Sequence, residues 1–396
     1  GTMTAYSPLT TNSTYTSAPG TVYTKYNGFS HLVVDNNGVA SPQFTWLTEP
    51  SRQEYTVDKL TLTRKGRMRL GLFSAPAAAT WKLTAGSLVS DRTGYIDVRP
   101  STALTVSSLF KDCHLDARKG SSLSLPPSTT MEAVNVTVKG TLSGMDHFVV
   151  TSGAIVDLHP SDGRLECLGI DVNGSAVVVL TPANETGLLL RSRDFIRLTG
   201  SPKVTFSGKL AMESSNVLVS SGVVLNGDFS GHLPGVVPSG CAAMPSLGGG
   251  ANGGGSYLGG SPCGEVESPV NLGSGGAGSF SGRGGAALKI QGTDVKLDGT
   301  ITVNGGSATS NCSACSFGSG GSGGSIWLSL NGSFSGSGAL HANGGLGSKC
   351  TGGSCGTAQG GSGSGGRLSV WASSSNFSGT MTAYSPLTTN STYTSA

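Results

Sequence analysis

Residues that could perform acid–base chemistry are sparse in this 396-residue chain, in which charged residues make up only 12%. Cleavage of a glycosidic bond needs two clustered carboxyl groups. The close aspartate pairs in the sequence are Asp112/Asp116, Asp157/Asp162 and Asp294/Asp298. On a strand, a spacing of four puts both side chains on one face, whereas a spacing of five does not. Because aspartate is favoured in turns, we expect turn caps and solvated positions, and the sequence indicates no enzyme.

The sequence also indicates no metal site and no cofactor. The histidines lack the spacing of paired metal ligands; they are His31, His114, His147, His159, His232 and His341. Cys312 and Cys315 could form half of a zinc or redox site. The next cysteine pair begins 38 residues later (350 − 312), which exceeds the usual spacing of about 15–20 residues.

The even number of cysteines, eight, fits a disulfide-bonded protein from an oxidising compartment. The predicted bridges are Cys113–Cys167, Cys241–Cys263, Cys312–Cys315 and Cys350–Cys355. Cross-pairing among the last four cysteines is the alternative.

Eight Asn-x-Ser/Thr sequons are possible acceptors of N-linked sugar. They are Asn12, Asn135, Asn173, Asn184, Asn311, Asn331, Asn376 and Asn390. The Ser- and Thr-rich stretch 10–19 could also carry O-linked sugar. With the cysteines, the sequons favour a secreted eukaryotic glycoprotein, located outside the cell or at its surface.

Composition excludes two further classes of partner. The net charge is only +3, so no electrostatic footprint for nucleic acid is present. No apolar run approaches the ~18 residues that a membrane-spanning helix needs. The chain begins at Gly1 without a signal peptide, as expected for a processed or excised segment.

The strongest organising signal is an 18-residue segment that occurs twice. Residues 1–18 read GTMTAYSPLTTNSTYTSA, and residues 379–396 repeat them letter for letter, at an offset of 378 residues (379 − 1). Exact repetition at a fixed period is the mark of a repeat array. We therefore interpret the chain as one full unit followed by the start of the next. An engineered duplication or a strand-swapped oligomer is the alternative.

Between the two copies, the pattern is that of short β-strands. Residues 19–83 form a β-rich start of the unit, in which Leu60-Thr61-Leu62-Thr63 alternates with the period of a half-buried strand. Residues 84–240 carry short strands punctuated by Gly, Pro, Ser and Asp, which predicts coils of a β-solenoid. We expect an all-β fold, a right-handed parallel β-helix with glycine-rich loops, arranged as head-to-tail repeats.

Residues 241–378 are predicted to be glycine-rich coils of the same solenoid. Of the 63 glycines, 39 lie between 248 and 366. Strand-like islands recur among them, and each follows a Gly-Gly pair, at 284–285, 323–324 and 365–366. Gly clusters can serve as tight corners where φ is positive and backbones approach closely. A glycine-rich polyproline II bundle is the ordered alternative.

The glycine-rich part resembles a known kind of protein. The run Ser261-Pro262-Cys263-Gly264, the stretch 271–276 and the later Gly-Gly-x-Ile and Gly-x-Leu-x-Ala-Asn-Gly-Gly coils are similar to glycine-rich β-helix segments of very large surface proteins of plants and protists. The resemblance covers roughly 240–383, about a third of the chain. It implies an extracellular, structural segment with no catalytic residues to carry over.

These patterns give three hypotheses for the function. The first is a structural repeat of an extracellular glycosylated filament, joined covalently or polymerised head to tail with copies of itself. The second is an adhesive or glycan-binding stalk, and the third is a carbohydrate-active enzyme, against which the missing carboxylate cluster argues. The filament hypothesis predicts a unit–unit junction at Gly1, Met3, Ala5, Tyr6, Gly379, Met381, Ala383 and Tyr384.

Overall fold

The computed structural model describes residues 20–38, 40, 42–47, 54–71, 80–238, 248–253, 261–278, 280–311, 316–348 and 360–386. Throughout these residues the regular elements are β-strands, with no helix. The chain divides into two compact units, Gly1–Val179 and Leu180–Ala396. The predicted all-β class is confirmed.

The first unit contains three sheets whose strands pair in parallel, apart from one antiparallel hairpin. The long-strand sheet has the order β1 (Gly20–Tyr26), β2 (Phe29–Asp35), β4 (Glu54–Thr63), β6 (Trp81–Ser90), β8 (Thr102–Lys111), β10 (Ser122–Ser124) and β13 (Thr141–Ser143). The short-strand sheet has the order β3 (Thr45–Leu47), β5 (Arg67–Leu70), β7 (Tyr95–Val98), β9 (His114–Ala117), β12 (Asn135–Val138), β15 (Ile155–Leu158) and β17 (Val177–Leu180). The third sheet has β11 (Ser128–Met131), β14 (His147–Val150) and β16 (Arg164–Val172).

The hairpin between β1 and β2 follows from its turn residues. Asn27 and Gly28 both have positive φ, 48° and 83°, as a two-residue Asn-Gly hairpin turn requires. All later neighbours in this sheet, from β2 onward, run parallel, so the chain must visit another sheet before it returns.

Alternation places one apolar column inside the first unit. The inward positions of successive short strands are in register and almost fully buried: Met68, Ile96, Leu115, Val136 and Val156. Leu60 and Leu62 of β4 are likewise buried, while Thr61 and Thr63 between and after them are partly exposed. The chain passes through parallel strands of different sheets in turn, and their inward side chains form columns. Both features are compatible with the predicted β-solenoid.

The second unit repeats the scheme with two main sheets. Its long-strand sheet has the order β18 (Leu188–Leu198), β20 (Lys209–Val219), β22 (Ala287–Leu297), β26 (Ser325–Leu330) and β29 (Arg367–Trp371), extended by β27 (Ser333–Ser335) and β30 (Ser374–Ser375). Its short-strand sheet has the order β19 (Lys203–Phe206), β21 (Val224–Asn226), β23 (Thr300–Thr302), β28 (Ala339–His341) and β31 (Thr380–Thr382). β24 (Ser310–Asn311) and β25 (Ser316–Phe317) form a separate antiparallel pair.

Glycine-rich segments lie side by side in this unit between the short and the long strands. The backbone N–H groups of Gly320 and Gly323 donate to carbonyls of segment 360–366, at 2.8 and 3.0 Å. Those of Gly321 and Gly324 donate to segment 303–309, at 2.9 and 2.8 Å, and that of Ser322 donates to Ser274. The partner segment thus recurs every third residue, which is the period of a polyproline II helix.

The glycines here do not act as the predicted corners. None of Gly320, Gly321, Gly323 or Gly324 has positive φ. A Cβ added to Gly320, Gly321 or Gly323 would instead overlap a backbone carbonyl of a neighbouring segment. Glycine is required because backbones pack directly against each other, so the contacts favour the polyproline II alternative for segments 303–309, 318–324 and 360–366.

Candidate functional site

The segment that occurs twice in the sequence closes one edge of the second unit. Thr380–Thr382 forms β31, which pairs in parallel with β28 through the partners Ala339↔Thr380, Leu340↔Met381 and His341↔Thr382. β31 is the last strand of the short-strand sheet. The strand predicted over 379–383 therefore exists and lies at a sheet edge, together with β29 and β30. We call these three strands the C-terminal edge.

A ladder of polar side chains fixes the register of the C-terminal edge. Asn304 N–H donates to Asp228 Oδ1 at 2.6 Å, and Asn343 N–H donates to Asn304 Oδ1 at 2.7 Å. Tyr384 N–H donates to Asn343 Oδ1 at 3.2 Å. The His341 Nδ1 and Thr382 Oγ1 atoms are also bonded, at 2.7 Å. Each turn of chain thus offers one side-chain acceptor to the next turn. Residues 382–384 bond to the last side chains of this ladder.

The apolar interior is uncovered at the C-terminal edge. Met381 occupies the same inward column as Ile301 and Leu340. Ile301 and Leu340 are 0% exposed, whereas Met381 is 44% exposed. Full burial of such a side chain stabilises by about 1.5–3 kcal/mol. An edge strand also carries unpaired N–H and C=O groups that template pairing with another chain.

The short-strand sheet of the first unit begins, among the described residues, with β3. β3 (Thr45–Leu47) is the first strand of that sheet and pairs on one side with β5. Thr45 and Leu47 are partly exposed, while the residues opposite them, Met68 and Leu70, are fully buried. Trp46 lies beside the Arg69 guanidinium, which is 5.0 Å from the ring centroid.

The predicted junction residues divide between described and undescribed segments. Met381 is on β31, and Gly379, Ala383 and Tyr384 flank it. The corresponding positions of the first copy, Gly1, Met3, Ala5 and Tyr6, lie outside the described residues. Phe377, which precedes β31, stacks on Phe334 with ring centroids 4.4 Å apart.

The sequons that the structure describes lie on strand ends and turns. Asn135 begins β12, and Asn173, Asn184, Asn331 and Asn376 lie in turns or connections. Asn135, Asn184, Asn331 and Asn376 are exposed, as an acceptor of sugar must be. Of Asn311 the structure describes only the backbone, and Asn12 and Asn390 lie outside the described residues.

One predicted disulfide is wrong. Cys113 and Cys167 are both free, because Cys113 is enclosed immediately before β9 while Cys167 lies on β16 of another sheet. Burial raises the pKa of both thiols, that of Cys167 to about 12. Cys263 is disulfide-bonded. Its predicted partner Cys241 and the cysteines 312, 315, 350 and 355 lie outside the described residues, so those pairings stay predictions.

The aspartates serve turns and ion pairs. Asp294 Oδ1 accepts hydrogen bonds from the Ser333 hydroxyl at 2.6 Å and the Ser333 N–H at 2.7 Å, and these bonds lower its pKa. Asp298 accepts from Ser337 N–H at 3.1 Å in the same way. Asp112 pairs with Arg92 at 3.1 Å. Among the residues described, no three His, Cys, Asp or Glu side chains cluster as metal ligands.

The first unit contains a cavity of about 530 Å³ that no sequence pattern indicated. It is lined by Ala40, Pro42, Lys65, Arg67, Thr93, Tyr95, His114 and Asn135. Next to it the Phe44 ring packs against Tyr95, with centroids 5.7 Å apart, and against the Arg67 guanidinium, 4.3 Å from its centroid. The residues come from four strands and three connections, so only the observed register brings them together.

The chain matches no protein-family model, and no curated protein is significantly similar to it. In the part of the chain that the structure describes, no helix has the length and apolarity needed to cross a membrane.

Proposed function

We propose that the chain is a structural repeat unit of an extracellular, glycosylated filament or cell-surface appendage, with units joined head to tail. The observation that carries the proposal is the C-terminal edge, whose strand β31 belongs to a segment identical in sequence to residues 1–18 and leaves Met381 uncovered. In the proposed filament the coils are those of a right-handed parallel β-helix, the hand that parallel crossover connections adopt in about 98% of cases.

Strand spacing supports a continuation from β31 into a following unit. The first residues of β23, β28 and β31 are 39 (339 − 300) and 41 (380 − 339) residues apart. Thr2 corresponds to Thr380 in the repeated segment, and Thr45, the first residue of β3, follows Thr2 by 43 residues (45 − 2). In the proposed filament, strand β3 of the next unit follows the repeated strand along the chain.

In the proposed junction the C-terminal edge pairs with the start of the following unit. Met381, whose partner Leu340 is fully buried, would be covered there. The two surfaces are different, so the contact is heterologous and generates an open fibre. Neighbouring units are joined by the chain itself, if the repeat is genetically tandem, or by strand pairing alone.

The test is the intact mass of protein isolated from its natural source and deglycosylated in denaturant with reductant. A tandem array gives a mass several-fold above the 39.7 kDa of this chain. A mass near 39.7 kDa instead requires the purified chain to assemble into fibres visible by electron microscopy. A single-unit mass together with a monodisperse monomer would show the proposal to be wrong.

A further inference from the structure

The cavity of the first unit has the composition of a sugar-binding site. Its floor is a column of outward-facing side chains on successive short strands, Arg67, Tyr95, His114 and Asn135, which the strand register places side by side. Parallel strands lie about 4.8 Å apart, so the column spans about 14 Å from Arg67 to Asn135. A ligand in this cavity can extend from Asn135 over an aromatic ring to a cationic end.

The chemistry of the cavity suits a carbohydrate. Tyr95 is half-buried, and its ring is held in place by the Phe44 ring, 5.7 Å away, and by the Arg67 guanidinium, 5.3 Å from its centroid. A sugar can pack against the exposed part of this fixed ring. Pro42 adds apolar surface, while the Lys65 ammonium supplies hydrogen-bond donors at the rim. An apolar platform with a few placed polar groups is the usual make-up of a small-ligand site.

The sequon at Asn135 is held rigidly at one end of this cavity. The Asn135 N–H donates to His114 Nδ1 at 2.8 Å. Since Nδ1 accepts, Nε2 carries the proton, and it donates to the Arg92 carbonyl at 2.8 Å. Both nitrogens of the imidazole are thereby engaged. Asn135 itself is exposed and lines the cavity, so its side chain is accessible for modification.

We infer that the N-linked glycan of Asn135 folds back into this cavity, with its first sugars packed on Tyr95. A sugar attached to a residue of the cavity is present at an effective concentration in the millimolar range or above. Even a site that binds free sugar weakly is therefore filled by a tethered one. This inference rests on the glycosylation included in the proposed function and adds where the glycan lies.

A second cavity, wholly within the other unit, independently combines a sequon with a concave surface. It measures about 470 Å³ and is lined by Asn184 together with Pro182, Lys209, His232 and Val236, among others. Asn184 Oδ1 accepts hydrogen bonds from Thr186 N–H, at 3.0 Å, and from the Thr186 hydroxyl. The amide of this sequon is thus also oriented by its own turn.

The test compares enzymatic release of the glycans at Asn135 and Asn331 by a peptide amidase, on folded and on denatured protein. Asn331 is the matched control, because it lies exposed in the turn after β26 and lines neither cavity. We expect release at Asn135 to be about tenfold slower than at Asn331 in the folded protein and equal after denaturation. Equal rates in the folded protein would overturn the inference while leaving the filament proposal intact.

Two further arms identify the cavity as the cause. Tyr95→Ala should raise release at Asn135 to the rate at Asn331; an unchanged rate in a variant that still folds by circular dichroism overturns the inference. Free N,N′-diacetylchitobiose should bind Asn135→Gln protein and not the glycosylated protein. Binding to the glycosylated protein would mean that the cavity is open to external sugar. Absence of sugar at Asn135 alone refutes this inference, and absence at every sequon also refutes the glycosylated part of the proposed function.

Discussion

At the scale of single residues, burial controls protonation at two histidines, one in each unit. Burial and the nearby charge of Lys59 lower the pKa of His31. Burial lowers the pKa of His232, Lys209 lowers it further, and Glu185 acts in the opposite direction. Both side chains are therefore held neutral at a pH where a free imidazole begins to take up a proton.

We predict that the chain loses stability as the pH falls below about 6.5, the ordinary value for histidine. In that range the unfolded chain binds more protons than the folded chain, so the free energy of unfolding decreases as the pH falls. Urea unfolding at pH 8.0 and pH 5.5 measures the effect. In His232→Gln the decrease should be smaller, and an identical decrease in both proteins would contradict the assignment to His232.

At the scale of elements, the glycine segments are held by direct contact between backbones. The overlap that a Cβ would meet differs from one position to the next. At Gly321 it would overlap the Arg283 carbonyl, whereas at Gly306 the nearest atom is 3.1 Å away. Neither glycine has positive φ, so the two positions differ in space and not in backbone strain.

We predict that Gly321→Ala destabilises the second unit by about 1–3 kcal/mol, the usual cost of overpacking a tight interior. Gly306→Ala is the matched control and should cost clearly less, because its neighbour needs to move only a few tenths of an ångström. Thermal unfolding of both variants measures the difference. Equal effects would show that the segments are looser than the contacts indicate.

Sequence patterns predicted the positions of strands correctly where the pattern lay within a few neighbouring residues. The alternation at Leu60 and Leu62 located β4, and the strand over 379–383 was found from its likeness to earlier turns of chain. The role of the glycines was not predictable from composition, since corners and close contacts both demand glycine. The cavity was missed because Arg67 and Asn135, 68 positions apart (135 − 67), meet only through strand register. The bridge between Cys113 and Cys167 was predicted only from the even number of cysteines, and that number contains no information about their geometry.

At the scale of the whole molecule, an uncovered edge makes assembly depend on a few side chains. Met381 and Thr380 are neighbours on β31 with opposite orientations, since the partner of Met381 is the fully buried Leu340 and that of Thr380 is the half-buried Ala339. Both are exposed in the single chain. Only Met381 becomes interior when another strand covers the edge.

We predict that Met381→Lys abolishes association of the chain at high concentration, whereas Thr380→Lys retains it. A charge at the Met381 position would be buried without a partner in the joined state, which costs several kcal/mol. Light scattering across a concentration series measures association, and the melting temperature should rise with concentration only where association persists. If both variants associate equally, the junction lies elsewhere.

The period-three bonding of the glycine segments also bears on how the chain meets proteolytic enzymes. A protease binds its substrate by pairing with an extended backbone as an additional strand and by lodging side chains in its subsites. In segment 318–324 successive N–H groups already bond to three different neighbours, and Ser is the largest residue present. Such a backbone has no free N–H groups with which a protease could pair. It also has no large side chains that the protease subsites could bind. A stretch that resembles a digestible linker in composition is, in this arrangement, poorly suited to cleavage.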